Sequence, residues 1–240
     1  MSGEHSVSRV WDSITATQPA PTPRAIVACA VVALLVVAWR PLWIRARHLV
    51  TITHEGAHGV AALLSGRRLS GIRLHSDTSG LTLSRGRRTG PGMILTALAG
   101  YPGPALVGLG AAGLLRAGHA VALLWLALLL LALLLAQIRN WFGLWSVLVA
   151  GAAVFAVSWW ASPAAQSTFA YTVTWFLLLA APRPVLELAR SRRAGRARDS
   201  DADVLGRLTR TPGALWVAVF LVVTVAALAA GVVLIAGRPF

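Results

Sequence analysis

The sequence predicts an all-α polytopic membrane protein with about six to seven transmembrane helices and a small β-hairpin after the second, histidine-bearing helix. Three observations carry this. Hydrophobic residues fill 57% of the 240 positions, above the ~45–50% apolar content of soluble domains. They are gathered into seven runs, most of them close to the roughly 20 residues that span a bilayer as helix. All 22 basic residues are Arg, and they fall in short connectors between those runs, where membrane insertion sorts positive charge.

Residues 1–24, rich in Ser, Thr, Pro and charge, read as a flexible cytoplasmic tail in front of a transmembrane domain over 25–240. The first run, 25–44, is long, and Arg40-Pro41-Leu42-Trp43 is a poor small-residue cleavage site, so a retained helix is expected. The second run is 48–65. Residues 68–85 follow, in which Ile72 and Leu74, then Leu81 and Leu83, alternate with polar residues around Asp77-Thr78-Ser79-Gly80. That pattern is a β-hairpin. It is either a basic connector or an edge strand that holds an extended chain through Leu74 and its neighbours. The third run, 92–115, is interrupted at Gly100-Tyr101-Pro102-Gly103-Pro104, a packing kink or the lining of a cavity. Runs 120–138 and 141–161 come next, separated by Arg139-Asn140, where Asn140 can bind the backbone of an extended substrate. Run 168–181 is short, hence tilted, re-entrant or extended by its flanks. An Arg-rich cytoplasmic loop, 182–213, precedes the last run, 214–236.

With every run crossing and residue 1 in the cytoplasm, seventeen Arg fall inside and five (Arg40, Arg45, Arg47, Arg116 and Arg238) outside. The protein is therefore expected in a plasma membrane with a cytoplasmic N-terminus. A net charge of +14 would indicate nucleic acid in a soluble chain; here the same rule accounts for it, and no nucleic-acid partner is expected. The single cysteine, Cys29, excludes an internal disulfide and a Cys-rich metal site.

The chemistry sits in the second run, where His54-Glu55-Gly56-Ala57-His58 has the H-E-x-x-H pattern. On a helix, positions four apart share a face, so both imidazoles reach one metal ion, and Glu55 stands beside them as a general base. Ionisable groups at membrane depth are costly and usually functional. The alternative for the same residues is a buried polar cluster that joins two helices.

These residues resemble the site-2 protease family of intramembrane zinc metalloproteases. The resemblance rests on His54-Glu55-Gly56-Ala57-His58, the hairpin, and the Gly100-Tyr101-Pro102-Gly103-Pro104 break. More narrowly, the chain looks like a compact bacterial, M-fifty-B-like branch, through Arg139-Asn140-Trp141-Phe142-Gly143 and Ser200-Asp201-Ala202. The resemblance covers about residues 48–216. It implies Zn2+, a helical fold of six or more spans in a bacterial plasma membrane, and membrane-protein substrates. The family's third ligand normally lies in an Asn-x-x-Pro…Leu-Asp-Gly motif. Here Gly143 stands at the Pro place and Leu148 at the Asp place. Among eight acidic residues, Asp201 is the expected substitute, because the branch's Ser-Asp-Ala segment matches there. Ser200-x-x-Asp203 also reads as a helix-capping box, which is compatible with Asp201 as ligand because Asp201 need not be the capping residue. The function expected is zinc-dependent endopeptidase. The alternatives are an inactive membrane scaffold, favoured by the missing motif, and a metal transporter, which polar groups confined to one run disfavour. Oligomeric state is not legible.

Overall fold

The computed structural model describes residues 4–195 and 199–237. Within the segment expected as a tail, Glu4–Thr15 form helix α1, which packs on α6 (Ala120–Leu135). The first apolar run becomes α2 (Pro23–Ala38), opened by Thr22, whose hydroxyl accepts from the Ala25 amide. α2 ends at Ala38 because Pro41 has no N–H to return to the carbonyl four residues back. Trp39 is extended, and α3 (Arg40–Leu64) departs at 101° to α2. The sequence places a connector at 45–47. In the structure Arg45 and Arg47 lie inside α3 instead.

The hairpin forms inside the expected 68–85, with β1 (Arg68–Leu74) antiparallel to β2 (Gly80–Arg85). A bulge between Leu69 and Gly71 bends β1 toward the end of α6. Gly71 has a φ of 146°, and any side chain there would collide with Arg139. This contact lets the Ile72 amide donate to the Gln137 carbonyl (2.8 Å) and the Arg139 amide to the Ile72 carbonyl (2.9 Å). β1 is thus paired on both sides. Among the described residues β2 has no strand on its outer side.

The third run is two helices, α4 (Pro91–Ala99) and α5 (Gly103–Arg116), bent by 72° at the Gly/Pro break. α7 (Trp141–Trp160) follows α6, and α8 (Pro163–Ala180) runs on into α9 (Pro182–Arg193), giving a 31-residue stretch. The short sixth run is therefore extended by its flanks. The expected Arg-rich loop is helical over α9 and α10 (Asp201–Thr209), after which α11 (Gly213–Ala236) closes the bundle. Gly108 of α5 and Gly231 of α11 both press on Leu178 of α8, bringing three helices close around the buried core. By length and apolar composition three stretches reach across a membrane, or five if each bent pair is one span, and α6 is a shorter apolar helix.

The ends of the bundle can be assigned from contacts. The Gln18 amide donates to the Gly118 carbonyl (2.8 Å), the Val121 amide to Gln18 Oε1 (3.0 Å), and Arg116 Nη1 to the Gly237 carbonyl (2.9 Å). The segment before α2, the α5–α6 turn and the end of α11 therefore share one end. The other end gathers the start of α3, where Trp43 and Arg47 bind Glu187 of α9, and the hairpin beside Gln137. Seven successive crossings would separate the start of the first run from the end of the last. The structure puts them together, because α3 turns aside after Trp39 and leads into the hairpin rather than back across.

Candidate metal centre and the cleft around it

α3 carries His54 and His58 one turn apart, with the ring centroids 4.7 Å apart and Nε2 3.1 Å from Nε2. His58 Nδ1 lies 2.7 Å from the Thr96 carbonyl of α4. A carbonyl can only accept, so Nδ1 carries the proton, and in the neutral imidazole the Nε2 lone pair faces inward. Asp201, the first residue of α10, places Oδ2 3.3 Å from His54 Nε2 and 3.2 Å from His58 Nε2. These are the three groups that sequence reasoning nominated as metal ligands, and the structure brings all three together.

The donor set fits zinc on chemical grounds. Two imidazole nitrogens and one carboxylate oxygen converge at 3.1–3.3 Å. Donors about 2.0–2.2 Å from a tetrahedral zinc ion stand roughly 3.3–3.6 Å apart. Lone-pair atoms this close repel one another unless positive charge lies between them. The His58 tautomer fixed by Thr96 is the one a metal ligand needs, its outer nitrogen donating to a carbonyl. Three donors also leave a fourth position for water or substrate, as in catalytic sites.

The Gly/Pro break forms one wall. A side chain at Gly100 would collide with His58 Nε2 and His54 Cε1, so α4 and α5 meet α3 this closely only because the residue is Gly. Tyr101 stands edge-on to His54 at 4.9 Å and stacks on Phe220 of α11 at 5.0 Å. The break is thus both a packing kink and the lining of a cavity.

Asp201 and Asp203 divide two tasks. Asp203 Oδ2 accepts from the Ser200 amide (3.1 Å) and hydroxyl (2.6 Å), and Arg192 pairs with its other oxygen. Burial raises the Asp203 carboxyl, but the hydrogen bonds from Arg192 and Ser200 outweigh it and hold the group below the usual carboxylate range. With the helix start secured by Asp203, Asp201 faces the histidines.

Glu55 is buried at 4% exposure. Its Oε2 accepts from Thr82 Oγ1 at 2.6 Å, its own carbonyl lies 3.0 Å from the same hydroxyl, and Gly80 packs against the side chain. The three metal-ligand candidates and Glu55 line one cavity of about 450 Å³, together with Tyr101, β2 and Arg47.

The two residues expected to touch substrate touch each other instead. Asn140 Oδ1 accepts from the Leu74 amide (3.1 Å), and Asn140 Nδ2 donates to the Leu74 carbonyl (2.6 Å). Leu74 is buried, and neither residue is in the lining of the cavity. Sequence reasoning did not single out Thr82, Gly80 or Thr96. The one available signal was the i, i+2 placement of Gly80 and Thr82 on the hairpin face opposite Leu81 and Leu83.

A helical chain with membrane-length apolar stretches, and with a His-His-Asp cluster beside a buried glutamate, has the make-up of a membrane-embedded metallopeptidase. The family model described as Peptidase M50B-like matches residues 27–231, and the chain belongs to that family, within the site-2 protease group. The match takes in His54, Glu55, His58 and Asp201. No curated protein and no solved structure matches the chain.

Proposed function

We propose that the protein is a zinc-dependent intramembrane endopeptidase that cleaves peptide bonds of membrane proteins within or next to the bilayer. The observation that supports this best is the approach of Asp201 to within 3.3 Å of both histidines. It supplies the carboxylate missing from the usual motif position. The inactive-scaffold reading rested on that missing carboxylate, and a purely structural cluster does not call for Glu55 beside it.

His54, His58 and Asp201 would hold the ion. Bound zinc supplies Lewis-acid chemistry, polarising a peptide carbonyl and making water acidic enough to attack it near neutral pH. Glu55 accepts the proton of the attacking water and passes it to the amine that leaves as the C–N bond breaks. An unwound substrate adds to the free edge of β2, and Asn140 serves indirectly by fixing β1 through Leu74.

The proposal extends to orientation in a bacterial plasma membrane, supported by the arginine-rich connectors, which stay in the cytoplasm. Six crossings (α2, α5, α6, α7, α8 and α11) return the chain to its starting face. The end that carries the hairpin, α9 and α10 is the cytoplasmic one. The N-terminal segment then lies outside, opposite to the sequence expectation.

The test uses full-length protein in detergent, with zinc measured per chain and cleavage followed on a quenched-fluorescent library of unstructured apolar peptides. Glu55→Gln is expected to keep zinc and lose about 10²-fold or more in cleavage. His58→Ala and Asp201→Ala are expected to lose zinc as well. Equal cleavage by wild type and Glu55→Gln, or a zinc-free wild type, rejects the proposal.

A further inference from the structure

We infer that Thr82 is a positioning residue for Glu55, acting with Gly80 to hold the carboxylate from the edge strand β2. The inference rests on the endopeptidase reading and extends it to a residue outside the metal-binding helix. Strand periodicity turns positions 80 and 82 toward α3 and positions 81 and 83 away from it. Accordingly Leu81 and Leu83 are exposed, while Gly80 and Thr82 meet Glu55.

The helix alone fixes only the backbone of Glu55. Its three side-chain torsions leave many positions for the carboxylate. Two contacts remove that freedom. Gly80 presents bare backbone to the Glu55 methylene and Oε1, and a methyl group there would occupy their place. Thr82 donates to Oε2 at 2.6 Å and, among the described residues, is the hydrogen-bond donor to this carboxylate. A threonine hydroxyl has one proton to give, and the shorter contact is the one to Oε2. Among the described residues none donates to Oε1, which makes it the oxygen best placed to take the proton of the attacking water. Because β2 also carries the free edge, substrate capture and alignment of the base depend on one strand.

The experiment compares wild type, Glu55→Gln, Thr82→Val, Thr82→Ser and Gly80→Ala as full-length, zinc-loaded proteins, using the best-cleaved peptide of the library. Zinc content, melting temperature, kcat and KM are measured for each. Thr82→Val keeps the shape and removes the hydroxyl. It is expected to lower kcat on the order of 10-fold with KM and zinc content unchanged, the pattern of an interaction made in the transition state. Thr82→Ser, which keeps the hydroxyl, is expected to restore most of that loss. Gly80→Ala is expected to retain zinc and lose kcat through displacement of Glu55. Unchanged kcat in Thr82→Val, a loss confined to KM or to zinc, or no rescue by serine each overturns the inference while the endopeptidase reading stands. Wild type no better than Glu55→Gln overturns both. If Thr82→Val does not fold, Thr82→Ala with the same measurements carries the decision.

Discussion

Two aspartates two residues apart show how a single turn of backbone separates a candidate metal ligand from a helix cap. Asp203 closes the start of α10 through Ser200 and is paired with Arg192; Asp201 turns to His54 and His58. Asp203→Ala should therefore cost about 1 kcal/mol of capping, plus what the part-exposed Arg192 pair contributes, and leave zinc content unchanged. The folded carboxyl of Asp203 is depressed. Its stabilisation is thus present above the unfolded value of about 3.9 and is lost as pH falls through the folded value. Melting of chelator-treated protein at pH 7 and pH 3 checks this: the wild-type advantage over Asp203→Ala should shrink at the lower pH. An advantage that grows on acidification would contradict the assignment. At this scale the sequence was readable where spacing is chemistry. His54, Glu55 and His58 follow from a four-residue helical interval. Asp201 could be reached because the chain has few acids, with the resemblance selecting among them. Thr82 and Thr96 were invisible, since a lone threonine carries no pattern until a distant element is folded against it.

At the level of elements, the hairpin was legible from alternation and the bend of the third run from its Gly/Pro break, whereas the break between the first two runs was placed too late. Arg45 and Arg47 look like connector charges, yet they belong to α3, and Arg47 pairs with Glu187 of α9 at 3.2 Å. Only Pro41 marked the true break, and its effect acts back on the carbonyl of Val37 rather than forward into the next run. Similarly, the Arg content of 182–213 concealed α9, because charge does not oppose helix formation when the helix has a start signal, here Pro182, whereas the start of α10 was legible in the Ser200–Asp203 capping box. Asn140 joins the hairpin to the α6–α7 turn through both polar atoms of its amide. Asn140→Leu removes two hydrogen bonds and leaves the Leu74 amide and carbonyl without their partners, a loss of roughly 1–3 kcal/mol. Faster hydrogen exchange at the Leu74 amide, with zinc content preserved, is the expected result. Loss of zinc in Asn140→Leu would show instead that this residue acts on the metal centre.

At the scale of the whole molecule, the arginine pattern takes a new meaning once the ends of the bundle are known. The sequence count assumed that each apolar run crosses, so the charges of 40–47 fell on the face opposite those of 67–88. The bend at Trp39 moves them to the same end. Arg24 and Arg116 lie at the end shared by Gln18, Gly118 and Gly237. Every described arginine from Arg40 to Arg88 and from Arg139 to Arg210 belongs to elements gathered at the other. The asymmetry between the two ends is thus steeper than the linear reading gave, and under the positive-inside rule it supports the proposed placement of the N-terminal segment outside. Short connectors rich in Arg are retained in the cytoplasm, so on the proposed orientation the cleft, with Arg47 in its lining, opens on that side. The prediction is testable in intact bacteria with a membrane-impermeant maleimide. Cys29 is buried and is replaced by Ala, and single cysteines are placed at the exposed positions Thr17, Ala117, Thr89 and Ala194. Thr17→Cys and Ala117→Cys should be labelled on intact cells, whereas Thr89→Cys and Ala194→Cys should react only after lysis. Labelling of position 17 only after lysis would restore a cytoplasmic N-terminal segment. Labelling of 17 and 89 from the same side would mean that α2 does not cross, and the six-crossing arrangement would have to be abandoned.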